Sequence, residues 1–112
     1  MEDRRKTARI RLTNDIGVFD TQTKTRIGKL VDISTEGIML ASGNPMEINT
    51  VYEFRVPMPI SIYGKNEIIC NAVCLWCNKT NSPSGYQAGF QLVGKDPALK
   101  EMIAIWMKSP SI

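Results

Sequence analysis

Thr25-Arg26-Ile27-Gly28-Lys29-Leu30-Val31-Asp32-Ile33-Ser34-Thr35-Glu36-Gly37-Ile38-Met39-Leu40-Ala41 reads as a strand, a turn and a second strand. Residues 25–33 are rich in β-branched side chains, which fit a pleated, half-buried surface. From Asp32 onward the chain offers Asp, Ser, Thr and Glu, which compete for backbone hydrogen bonds, and then a glycine. Residues 37–41 resume as a short apolar strand. The rest of the chain is read outward from this hairpin.

Toward the N-terminus, residues 10–19 mix apolar side chains with Asn14, Asp15 and Gly17. They predict a first strand interrupted near Asp15-Ile16-Gly17. Asp20-Thr21-Gln22-Thr23-Lys24 is a polar turn. Toward the C-terminus, Ser42-Gly43-Asn44-Pro45 is a loop of strong breakers. Residues 51–57 alternate, with Tyr52, Phe54 and Val56 on one face and Glu53 and Arg55 on the other. Pro57-Met58-Pro59 predicts the end of that strand. Residues 60–66 then form a connection, with Tyr63-Gly64-Lys65-Asn66 as its turn.

Residues 67–78 are the longest apolar segment and predict a long central strand. Residues 79–85 form a loop, and 86–93 alternate again. The period then changes. Asp96-Pro97 is a helix start, with aspartate as N-cap and proline at the first helical position. Leu99, Met102, Ile103 and Trp106 fall at helical spacing, an apolar stripe suited to docking on a core or an interface. Six short strands followed by one helix predict an all-β domain with one C-terminal helix, a six-stranded antiparallel β-barrel. The whole chain, 1–112, is one domain: a basic arm over 1–11, a barrel over 12–94 and a helix over 96–108.

Charge is unevenly placed. The first twelve residues carry Arg4, Arg5, Lys6, Arg9 and Arg11 against Glu2 and Asp3, and the protein as a whole is +3. The body beyond Leu12 is therefore neutral, and the arm is the part suited to an anion. There is no histidine, which removes Ser-His and Cys-His nucleophilic pairs and disfavours an enzyme. No apolar run reaches the ~18 residues of a membrane span, and no secretory signal is visible, so a cytoplasmic protein is expected. Cys70, Cys74 and Cys77 are too few for a four-ligand metal site and read as small core residues. Strand alternation puts Cys70 and Cys74 on one face and Cys77 on the other.

Two constellations carry chemistry. In the arm, arginine forks at Arg5 and Arg9 suit phosphates and the O6 and N7 acceptors of guanine. In the hairpin, the Asp32 carboxylate suits guanine N–H donors, and the Ser34 hydroxyl suits a phosphate or the turn itself. Gly37 permits a positive φ or a close backbone approach.

In this order the two motifs resemble the PilZ family. Arg4, Arg5 and Arg9 match its RRxxxR arm, and Asp32, Ser34 and Gly37 match its (D/N)xSxxG turn. Residues 72–76 look like its long strand ending in tryptophan, and 85–90 like its last strand with a Gly-Phe pair. The resemblance implies a barrel that binds the bacterial second messenger cyclic di-GMP, with no cofactor or metal. It implies that Arg5 and Arg9 contact phosphates and guanines, with Arg4 in support. Asp32 and Ser34 would contact a guanine, and Gly37 would let the turn lie close to it. The arm would fold over the ligand and signal to a downstream protein partner, with a homodimer possible. One alternative is a nucleotide-independent protein-interaction module. Another is single-stranded nucleic-acid binding, which is disfavoured because the aromatics fall on core-facing positions.

Overall fold

A computed structural model describes residues 10–12, 15–81 and 85–109. The strands are β1 (Ile10–Arg11), β2 (Gly17–Asp20), β3 (Arg26–Ile33), β4 (Gly37–Ser42), β5 (Val51–Ile62), β6 (Lys65–Lys79) and β7 (Tyr86–Leu92). One helix follows, α1 (Pro97–Met107). All pairings are antiparallel, and the ring β3-β2-β5-β6-β7-β4 closes on itself through a β3 to β4 pairing. Closure gives each strand of the ring a neighbour on both sides over part of its length. No described helix is long and apolar enough to cross a membrane.

β1 and β2 lie along the same side of β3. Ile10 and Arg11 pair with Ile33 and Asp32, and Gly17 and Val18 pair with Lys29 and Gly28. The ring is thus six-stranded, with its first strand interrupted where Asp15 and Gly17 stand in the sequence. Leu12 donates to the Val31 carbonyl and Leu30 to the Ile16 carbonyl on either side of the break.

β5 does not stop at Pro57, as the prolines predicted, but continues to Ile62. Proline removes a ladder donor, and here no ladder is broken. The pairing of β2 with β5 reaches only Arg55, and the register with β6 shifts between Pro57 and Ile62. The hairpin then turns through Tyr63 and Gly64 at φ 53° and 75°, the doubly left-handed geometry of a tight two-residue turn.

The inward row of each strand makes the core. Leu30, Ile33, Ile38, Leu40, Phe54, Val56, Cys74 and Ala88 are fully buried or nearly so. Phe54 meets Phe90 edge-on at 5.0 Å and stacks with Tyr52 at 5.7 Å. The helix forms as its start signal predicted. The Asp96 carboxylate accepts from the amides of Ala98 at 3.1 Å and Leu99 at 3.2 Å, and Pro97 stands in the first turn. Met102, Ile103 and Trp106 of its apolar stripe are buried, so α1 docks on the barrel.

Candidate functional site

The turn between β3 and β4 is built by Ser34. Its amide donates to the Gly37 carbonyl at 2.9 Å. Its hydroxyl accepts from the amides of Glu36 at 3.2 Å and Gly37 at 3.1 Å, and donates to the Gly37 carbonyl at 3.2 Å. The residue is 1% exposed. Of the two roles open to this serine, the structure displays the turn-forming one.

Gly37 does not have a positive φ; among the described glycines only Gly64 and Gly94 do. Its need is for space. A Cβ at Gly37 would lie 2.3 Å from the Phe90 carbonyl oxygen of β7. The close approach expected at this position is thus to the neighbouring strand's backbone. That contact holds β4 on β7, where Gly37 pairs with Gln91 and Ile38 with Phe90.

Asp32 points away from the core. Its chain neighbour Ile33 and the nearby Leu30 are both fully buried, on either side of a register shift that turns the Asp32 side chain outward. It is nonetheless only 9% exposed. Its antiparallel partner on β1 is Arg11, and residues directly opposite share a face. Arg11 is exposed. Counted in the arm at the outset but not among its ligand contacts, Arg11 is the one arm cation within the described residues. Its signal was its place two residues beyond Arg9, in step with an extended strand. Arg4, Arg5 and Arg9 lie outside the described residues. What the structure does fix is the root of the arm: Ile10, where the described chain begins, sits opposite Ile33, beside Asp32 and Ser34.

The turn also touches the helix. The Glu36 carbonyl accepts from Leu92 at 2.9 Å, and its carboxylate pairs with the Lys100 ammonium of α1 at 3.2 Å.

The cysteines correct one expectation. Between Cys74 and Trp76 the register with β7 shifts by one, so Cys77 pairs with Ala88, an inward position, and packs against the core. All three cysteines therefore face inward, and Cys77 does not oppose the other two. All are free thiols. Burial pushes the Cys70 thiol up to about 11, and burial with neighbouring Cys77 raises that of Cys74. Such thiols are poor nucleophiles at neutral pH. Among the described residues, no group of three or more His, Cys, Asp or Glu could hold a metal ion.

The same shift turns Trp76 outward, opposite Gly89. Tyr63 is also exposed, at the β5 to β6 turn. The aromatics are therefore not all core-facing, although Phe54, Phe90 and Trp106 are.

Two clefts among the described residues lie away from the turn. One of about 480 Å³ runs between the β5 to β6 hairpin and the first turns of α1, past Gly64, Ile69, Asp96 and Leu99. The other, about 540 Å³, opens beside Ser42, Gly43 and Tyr86. Asp32 lies between two strand partners, Arg11 of β1 on one side and Met39 of β4 on the other.

The sequence profile of the PilZ domain matches residues 3–108. No match was found among curated proteins. Solved structures give the fold. The PilZ domain of YcgR from Escherichia coli, solved with c-di-GMP, superposes with a TM-score of 0.74 at 11% identity, covering 94% of this chain and 89% of that one. The Bacillus subtilis inhibitor of motility, MotI/DgrA, gives 0.73 at 13% identity, covering 95% of this chain and 50% of that one. The MrkH complex with c-di-GMP from K. pneumonia gives 0.70 at 17% identity, covering 93% and 51%. This chain thus spans nearly all of the first and about half of the other two.

Proposed function

Because the chain belongs to the PilZ domain family, we propose that it is a cyclic di-GMP receptor and not an enzyme. Arg5 and Arg9 grip phosphates and guanines, with Arg4 in support. Asp32 accepts from a guanine edge, and Ser34 and Gly37 hold the turn against it. The observation that carries this reading is the pairing of β1 on β3, which roots the basic arm beside Asp32 and Ser34. Arg11, the last cation of the arm, and the Asp32 carboxylate, from distant parts of the sequence, are thereby antiparallel partners. Such a pair suits a ligand with two phosphates and two guanine edges. The arm is rooted beside Asp32, so it starts where a cover over a bound nucleotide must.

The ion pair between Glu36 and Lys100 supplies a route for output. A ligand that shifts the turn shifts a contact of α1, whose Glu101 and Ile105, with Lys108 just past its end, are exposed. We place the downstream contact, with a protein partner or a second copy of this chain, on that helix. The receptor is cytoplasmic in this reading, in keeping with three free thiols.

Calorimetric titration with cyclic di-GMP tests the proposal. The wild type is expected to bind. Arg5→Ala and Asp32→Ala should each weaken binding by about tenfold to a hundredfold, the worth of a charge-assisted hydrogen bond. A wild type that gives no heat with tens of micromolar ligand refutes it.

A further inference from the structure

β6 carries no charged residue between Glu67 and Lys79. Ile68, Cys70, Ala72 and Cys74 are buried in the core, so Ile69, Asn71 and Val73 between them point outward. Leu75 is the extra residue of the register shift with β7, and it is exposed as well. From Ile69 to Leu75 the strand runs about 20 Å. A long uncharged strand thus lies open on the outside of the barrel.

Neighbouring segments widen this strip. Val51 of β5 pairs directly with Val73, and direct antiparallel partners share a face. Val93, just past β7, donates its amide to the Asn71 carbonyl at 2.8 Å. The Asn49 amide donates to the Cys74 carbonyl at 2.7 Å, which brings the preceding Ile48 to the Leu75 end. Ile48, Val51, Ile69, Leu75 and Val93 are each about half exposed, at 46–56%. Among the described residues the only other exposed large hydrophobics are Tyr63 and Ile105. Most of the exposed apolar surface therefore gathers along one strand.

We propose that this strip is the core of an interface with a second copy of this chain. A two-fold contact sets a surface against itself, so a patch of one charge repels its own copy and an uncharged one does not. Asn71 at the middle of the strip has both donors and an acceptor, and so is able to pair with itself across a two-fold. Glu53 and Arg55, opposite in sign, stand at the border, across from Asn71 and Ile69. The area agrees. Five half-exposed aliphatic side chains present roughly 400 Å². A standard interface buries about 800 Å² on each partner, a little over half of it apolar, and so needs about 450 Å². Half-buried Val73, in the middle of the strip, supplies the remainder. The second copy thus takes β6 and leaves α1 to the protein partner. The inference does not depend on the nucleotide.

Sedimentation equilibrium of the nucleotide-free chain tests this on the wild type, Ile69→Lys, Leu75→Lys and Ile105→Lys. The wild type should be mostly dimer at about 100 μM and dissociate on dilution. Ile69→Lys and Leu75→Lys should each raise the dissociation constant about tenfold or more. Both should melt close to the wild type at about 1 μM, where association no longer adds to stability. Ile105→Lys, on α1, should leave association unchanged. A wild type that stays monomeric up to about 500 μM overturns the inference. So does a dimer that both β6 variants keep; if Ile105→Lys abolishes that dimer, the copies meet through α1. A monomer that floats with phosphatidylglycerol vesicles, and no longer does so as Leu75→Lys, assigns the face to a lipid surface instead. Should the β6 variants not fold, amide shifts of the wild type on dilution decide. They should move at residues 48–51 and 69–75 and hold still along α1, and the opposite pattern refutes the assignment.

Discussion

Replacing Gly37 with alanine should destabilise the barrel whether or not a ligand is present. The added Cβ would stand 2.3 Å from the Phe90 carbonyl oxygen, whereas ordinary contact begins near 3.4 Å. The obstacle is backbone, so no rotamer relieves it. β4 and β7 must part by about 1 Å at this point, which stretches a normal hydrogen bond beyond its working range. Two ladder bonds at roughly 1 kcal/mol each, with the strain of overpacking, come to about 2–4 kcal/mol. For a domain of this size that is a fall of about 10–15 °C in melting temperature. The assay is thermal unfolding by circular dichroism without nucleotide, with Ser34→Ala beside it. Ser34→Ala strips the buried amide of Gly37 and the part-buried amide of Glu36 of their acceptor and should cost about 1–3 kcal/mol. If Gly37→Ala melts within 2 °C of the wild type yet fails to bind cyclic di-GMP, the packing argument is wrong and the glycine serves the ligand directly.

Arg11→Ala should leave the melting temperature unchanged and weaken cyclic di-GMP binding about fivefold, as for an exposed charge contact. Titration at low and high salt checks this, and unchanged affinity at low salt counts against Arg11 as part of the site. Lys100→Ala removes a half-exposed ion pair, so its melting temperature should fall by no more than about 4 °C. Hydrogen exchange should then show less nucleotide-dependent protection of α1 than in the wild type. Cys70 should resist alkylation in the folded protein at pH 8. Burial pushes its thiol up to about 11, from an ordinary value of 9.0. Between those values the unfolded chain releases this proton and the folded chain keeps it, so stability should fall as pH rises from 9 to 11. Denaturant melts of wild type and Cys70→Ser across that range measure the difference.

Local signals carried the reading wherever the determinant was local. Asp96 and Pro97 specify the helix start through their own side chains, and the structure shows both in place. The alternation of Tyr52, Phe54 and Val56 survives because no register shift interrupts residues 51–57. The failures sit at strand irregularities. A period of two predicts a face only until an extra residue enters, and the shift between Cys74 and Trp76 reverses the faces of both Trp76 and Cys77. Nothing in residues 74–77 announces it, because a bulge is a relation between two strands. Pro57 and Pro59 misled for the same reason: a proline stops a strand only where a neighbour needs its amide. At the site, Asp32 and Ser34 were legible as a turn. The nearness of Arg11 to Asp32 required the pairing of β1 with β3.

The ring is closed where β4 meets β7, joining residues near 40 to residues near 90. Contacts so distant along the chain form late and slowly, because the intervening loop must be closed before they repay its entropy. The pairing of Gly37 with Gln91 crosses this seam. A chain emerging from the ribosome can complete the hairpin of β3 and β4 early, yet its turn lacks a neighbour at Gly37 until β7 has been synthesised and docked. Truncation before residue 92 should therefore abolish the site at once, even though Asp32, Ser34 and Gly37 remain in the polypeptide.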